Sequence, residues 1–264
     1  MSTSETKPTL VLLSGSWHNP QNYHKFVSAL QTHSYDLLIP SLPSMNGAQL
    51  PTADLYTDTD FVRSYISDLV SQGKHIIVLM HSYGGQVGTN ALTEFAVSTR
   101  KAQGLSGGVV HLLYISAFMM LEGESMMDKV RLFGHEDLIP IVFNIAEDGT
   151  HVHSDPRTLL IGSNPDDKVT EAEIEEYISN LSRWNGNAMY QPLKDRAVWR
   201  DIETSYVVTK MDMTVFLDFQ VSMLEAVKKE GKEVKVWELE TGHSPTLTMT
   251  DELVEIVLEI SGKY

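Results

Sequence analysis

Two hydrophobic rhythms alternate along the chain. Short, nearly unbroken apolar runs at 9–13, 36–39, 75–80, 109–116, 206–209 and 233–239 predict strands buried on both faces. The stretches between and after them carry apolar residues at three- and four-residue steps, the spacing of one helix face. In 23–30 these are Phe26, Val27 and Leu30; in 60–70 they are Phe61, Val62, Tyr65, Ile66 and Leu69. Segments 86–97, 215–227 and 251–260 read the same way, with Asp251 after Thr250 as a start signal for the last. Strand–helix alternation predicts an α/β fold, a mostly parallel sheet of about six strands with helices on both faces.

One interval breaks the rhythm. Residues 121–200 show no buried strand, although they would hold two strand–helix units. Segments 139–145 and 150–153 instead flank Glu147-Asp148-Gly149, and Asp-Gly is a strong hairpin signal. A helix over 170–181 follows, with Glu171 and Glu173 where the helix dipole favours acids. The expected organisation is a core of 1–120 and 201–264 with a cap or lid, 121–200, over the sheet's carboxyl edge. No repeat, low-complexity tract or linker divides the chain further.

Composition narrows the classes. The 264 residues include no cysteine, which excludes disulfides, thiolate metal sites and a cysteine nucleophile. A formal charge of −15 argues against nucleic acid and anionic membranes as partners. The apolar runs at 10–13 and 76–80 are too short to span a bilayer, and residues 1–7 lack the layout of a signal peptide. The expectation is a soluble, cytoplasmic protein that binds a small molecule and needs no cofactor. The oligomeric state stays open, a homodimer being one option.

Chemistry concentrates at His81-Ser82-Tyr83-Gly84-Gly85, where a predicted strand turns at once into a helix. This is the layout of a nucleophile elbow, G-x-S-x-G, in which a strained turn lifts a serine above the sheet. Gly84 and Gly85 satisfy its downstream half; Met80 stands in the upstream glycine's place, so another nearby residue must be small. The plainer alternative is an ordinary turn with a capping serine. A serine needs a base. His243 follows the last predicted strand and would hang over the edge where Ser82 emerges. Asp212 ends the preceding strand and could orient His243, giving the chain order Ser82, Asp212, His243. Glu122 and Glu124 are its rivals as the acid, with Asp201 and Asp218 behind them. Oxyanion donors are expected from the amides of Tyr83 and of Ser16, which follows Gly15 after the first strand.

In these segments, Ser14-Gly15-Ser16-Trp17-His18, His81–Gly85, 206–212 and Gly242-His243, the sequence resembles the α/β-hydrolase superfamily. Within it, the small serine esterases related to the plant methylesterase and hydroxynitrile lyase group are similar. The resemblance covers the whole chain and places 121–200 at that family's cap. Ser14 departs from the usual histidine before the oxyanion glycine, and Met80 from the first elbow glycine. Ser244 and Pro245 follow His243 where hydroxynitrile lyases carry a lysine, which counts against lyase chemistry.

The resemblance and the residues together imply a serine hydrolase that cleaves a neutral, mostly apolar small ester, thioester or lactone through an acyl-enzyme. A lyase, cyclase or acyltransferase with the same triad, or a non-catalytic ligand-binding member of the fold, are the alternatives. Trp17, Phe118, Met119, Met126, Tyr190 and Met213 are the candidate pocket residues, with Met120 and Met127 nearby. No Lys or Arg lies in the elbow or oxyanion segments. His151 and His153 alternate onto one strand face, which reads as a solvent-facing hairpin rather than a metal site. Residues 104–108 are glycine-rich but precede a strand, so they read as a connecting loop.

Overall fold

Alternate residues of each apolar run face opposite sides of the sheet, and two separate cores result. The computed structural model describes residues 7–48, 50–162 and 168–264, so the polar segment 1–6 read above lies outside it. The elements before the insertion are β1 (Thr9–Leu13), α1 (His24–Thr32), β2 (Leu37–Leu38), α2 (Leu55–Ser71), β3 (His75–His81), α3 (Tyr83–Ala91), α4 (Val97–Ala102) and β4 (Gly108–Ile115). The insertion carries α5 (Met126–Leu132), α6 (Ile139–Val142), β5 (Phe143–Ile145), β6 (Thr150–His153), α7 (Glu171–Ser179) and β7 (Trp184–Asn185). The chain closes with β8 (Glu203–Thr209), α8 (Leu217–Lys229), β9 (Lys235–Leu239), α9 (Pro245–Thr248) and α10 (Thr250–Ser261).

Strands β2-β1-β3-β4-β8-β9 form one sheet in that order, every pair parallel. Val11, Leu13, Val78 and Met80 face α2, α3 and α8, where Val62, Ile66, Val87 and Phe219 meet them. Leu10, Leu12, Ile77 and Leu79 face α1 and α10, through Phe26, Leu30, Leu253 and Val257. All six strands point one way, so their C-terminal ends, and the turns after them, share one edge. That edge collects Ser14–His18, Ser82, Ser116, Asp212 and His243. Among the described residues no helix is long and apolar enough to cross a membrane.

Four expectations need correction. The run at 233–239 is not buried on both faces: β9 is an edge strand in which Lys235, Val236 and Glu238 are exposed and only Leu239 is buried. The helix expected over 86–97 ends at Ala91, and a second begins at Val97. Between them Ala96 is extended and bridges Val109, which the helical spacing cannot reveal. In 139–145, Pro140 opens a helical turn over Ile139–Val142, so only Phe143–Ile145 is strand. The insertion also holds buried strand residues: β5, β6 and β7 form a three-stranded antiparallel sheet, and Trp184 and Asn185 are buried. The Asp-Gly turn was sound, but its third strand arrives from thirty residues downstream.

The small residue that Met80 requires is Gly88. A Cβ there would lie 2.3 Å from Met80 Sδ and 3.0 Å from Leu13 Cδ1. Gly88→Val should therefore cost about 1–3 kcal/mol through overpacking. Met80→Ala in the same chain should recover part of that, a coupling that denaturant melts of the double-mutant cycle measure. Additive losses would show that the two side chains do not share the space.

Candidate active site

Ser82 links β3 to α3 with φ 53° and ψ −120°, a conformation disfavoured for any L-residue. Trp17 (φ 68°) and Ser116 (φ 44°) lie on the same sheet edge, so backbone strain gathers there, as at functional sites generally. The surroundings hold the turn in place. A Cβ on Gly84 would sit 2.2 Å from the Leu13 carbonyl oxygen, and one on Gly85 2.7 Å from that of Phe118. Only glycines let α3 start so close to β1 and to the chain after β4.

His243 is fully buried. Its Nδ1 lies 2.8 Å from Asp212 Oδ2, and since a carboxylate can only accept, Nδ1 carries the proton. Asp212 is fixed by three further donors: Thr209 Oγ1 on Oδ2, and the Thr214 and Val215 amides on Oδ1, each at 2.8 Å. His243 Nε2 is buried with no partner among the described residues, leaving its lone pair free. The rival acids are occupied elsewhere. Glu122 binds Arg200 and the Ala197 amide, and the Arg200 guanidinium holds its carboxyl down at about 2. Glu124 caps Leu121 and pairs with Lys129. Asp201 pairs with Arg196, and Asp218 caps Phe219 in α8.

Ser16 and Ser82 line one cavity of about 70 Å³. Tyr83 is the first residue of α3, so its amide has no acceptor within the helix. Of the expected pocket residues, Trp17, Phe118, Met126 and Met213 line this cavity. Met119 does not: it is 1% exposed in the core, its amide against Met223 Sδ. Tyr190 is 52% exposed and turns outward, while its neighbour Met189 lines the wall instead. Phe143, Trp184, Phe216 and Phe219 add aromatic surface beside five aliphatic side chains, and no Lys or Arg contributes to the lining.

The histidines hold the largest surprise. His151 and His153 are buried at 4% and 6% exposure, not solvent-facing. Trp17 causes this: its indole lies 4.1 Å from the His153 ring, centre to centre, and its Nε1 donates to the His151 carbonyl at 2.9 Å. Two relays that the motifs do not reveal support the strained edge. The Gly15 amide donates to Tyr23 Oη (3.0 Å), which donates to His81 Nδ1 (2.9 Å), and His81 Nε2 donates to the His243 carbonyl (2.9 Å). Similarly, Ser244 Oγ donates to Tyr177 Oη at 2.7 Å, Tyr177 to His18 Nε2, and His18 Nδ1 to the Ser16 carbonyl at 2.6 Å. The turn after β1 and the His243 loop are thus joined twice. Position alone could have flagged His18 and His81, since each belongs to a quoted motif; Tyr23 and Tyr177 leave no such trace.

Burial keeps these rings neutral: His18 falls to about 3 and His151 to about 4, and His81 and His153 go well below the usual range. Burial likewise takes His111 down to about 4. An unfolded chain protonates each of them below about pH 6.5, so it binds more protons than the folded one and stability falls with pH. Asp58, buried against Ser44 and Tyr83 and raised to about 6, acts in the opposite sense but is one group against five. Denaturant midpoints should therefore drop between about pH 6.5 and about pH 4. An unchanged or higher midpoint at acid pH would show that the rings are not held neutral.

Comparison with known proteins agrees with this architecture. The description "Alpha/beta hydrolase family" matches residues 10–256. A curated relative, the probable hydrolase R7 of a Phoma species, is 28% identical and spans 97% of this chain and 99% of its own. Among solved structures, a pyrethroid hydrolase from Sphingobium faniae JZ-2 superposes with a TM-score of 0.73 at 19% identity, covering 98% of this chain and 100% of that one. Polyneuridine aldehyde esterase gives 0.72 at 15% identity over 97% and 100%. A parallel six-stranded sheet, a strained serine turn after its third strand and a match over nearly the whole length lead to one assignment: the chain belongs to the alpha/beta hydrolase family.

Proposed function

We propose that the protein is a serine carboxylic ester hydrolase for neutral, mostly apolar small esters, thioesters or lactones. The observation that carries this reading is the buried His243, bound to Asp212 through Nδ1 while Nε2 remains unpartnered, its ring 4.9 Å, centre to centre, from that of His81, the residue before the strained Ser82. In it, His243 Nε2 takes the proton of Ser82 as Oγ attacks the substrate carbonyl. The Ser16 and Tyr83 amides hold the developing oxyanion. His243 then protonates the leaving oxygen, and water attacks the acyl-enzyme by the same route in reverse. Asp212 keeps the proton on Nδ1 and balances the imidazolium. Residues 121–200 act as a cap. The contacts of Ser182 and His151 with Trp17, and of Trp184 with Ser44, support that role. The names of its relatives, a probable hydrolase, a pyrethroid hydrolase and an esterase, point the same way.

Hydrolysis in oxygen-18 water tests the reaction type: label in the acid product supports it, and unlabelled product would favour lyase, cyclase or acyl-transfer chemistry. The apolar wall predicts charge discrimination, because a carboxylate buried there would lack a partner. Matched neutral and carboxylate-bearing esters should differ in kcat/KM by about ten-fold or more in favour of the neutral one. Steady-state kinetics giving the reverse order would remove the substrate class and leave the triad untouched.

A further inference from the structure

The polar groups on the cavity wall sort by whether they are already used. Thr214 Oγ1 donates to the Leu159 carbonyl at 2.8 Å. Ser16 and Ser82 belong to the proposed chemistry. His135 stands at the rim, part-exposed and edge-on to Phe216, with one nitrogen unpaired. His153 differs from all of these. It is 6% exposed, wedged between Trp17 and Phe143, and neither ring nitrogen makes a hydrogen bond of normal geometry among the described residues, the Val142 backbone offering at most a weak contact. By contrast, both nitrogens of His18 and of His81 are paired.

A buried polar group without a partner is costly, and native structures keep few of them. His243 Nε2, which does not line this wall, is accounted for by proton transfer in the proposed reaction; on the wall itself His135 leaves one nitrogen unpaired and His153 leaves two. We infer that His153 is a specificity-determining residue, whose imidazole pairs with a hydroxyl or carbonyl of the substrate remote from the scissile ester. The inference rests on the ester hydrolase reading and sharpens it: the preferred substrate is a mostly apolar ester carrying one further hydrogen-bonding group. Burial leaves the ring neutral, so it offers one donor and one acceptor but no charge. Its strand is fixed to the oxyanion turn by the Trp17–His151 bond, which gives the ring a defined position relative to Ser82. A site built around such a group discriminates strongly against analogues that lack its partner.

The test uses methyl 3-phenylpropanoate and its 2-, 3- and 4-hydroxyphenyl analogues. The wild type should prefer at least one hydroxylated member over the parent by about ten-fold or more in kcat/KM. That ratio, taken within each variant, should collapse toward unity in His153→Leu, persist in part in His153→Gln and survive in His135→Phe. Equal turnover of all four esters by the wild type, or a preference that outlasts His153→Leu, would overturn the inference. Thermal shifts of Ser82→Ala with the same compounds read recognition apart from turnover. A hydroxyl-dependent shift abolished by His153→Leu supports the inference even if no ester is cleaved, an outcome that would sink the hydrolase reading alone. No hydroxyl-dependent shift would count against His153 whatever the kinetics show.

Discussion

Ser82→Ala and His243→Ala should each lower the proposed ester turnover by about four to six orders of magnitude while the fold is retained. Neither backbone segment is held by the side chain that is removed. Ser82 is small and sits at the mouth of a turn whose geometry comes from Gly84, Gly85 and the β1 and β4 carboxyl ends. His243 is tied through its backbone carbonyl, which accepts from His81 and from Ser116 Oγ, so the loop keeps its anchors when the ring is removed. In the proposed mechanism the two residues act as one unit in proton transfer, so the double variant should be scarcely slower than either single one. Multiplicative losses in the double variant would mean that the two contribute to separate steps. Turnover near the wild-type rate in either single variant would end the account.

Asp212→Asn should give the second large effect, about 10⁴-fold in kcat. The amide is nearly isosteric and can still accept at one position, but its NH2 favours the histidine tautomer with Nε2 protonated, which cannot receive the serine proton. Four donors surround the carboxylate, and an amide cannot satisfy all of them, so some loss of stability accompanies the loss of rate. Glu122→Gln and Glu124→Gln supply the contrast. Their partners are Arg200, the Ala197 amide and Lys129, so stability should suffer while turnover stays within a few-fold of wild type. Kinetics with the opposite ranking would show that an acid beyond β4 serves His243.

The inner strands were legible because a parallel strand covered on both faces has no polar side to interrupt its run; Val11 and Leu12 serve different cores yet look alike in sequence. The order of Ser82, Asp212 and His243 was legible for a topological reason. Loops after parallel strands share one edge, so proximity follows from strand order alone. Met80 announced a missing small residue whose place was not legible, because Gly88 lies about a turn and a half into α3 and meets Met80 only after α3 folds back on the sheet. His151 and His153 were misread for a related reason. Their alternation shows which face they occupy, but what covers that face is Trp17, more than a hundred residues away and held in a left-handed conformation. Tyr190 and Met119 failed as pocket residues because one-residue register decides which neighbour faces inward, and Met189 and Phe118 hold those places.

The central claim is that Ser82 is the nucleophile, and covalent labelling tests it without knowledge of the natural substrate. A fluorophosphonate probe, followed by digestion and peptide mass spectrometry, should leave one adduct, on the peptide containing Ser82, with its formation slowed strongly in His243→Ala and Asp212→Asn. An unlabelled protein, an adduct on another residue, or equal labelling in Ser82→Ala would contradict the account.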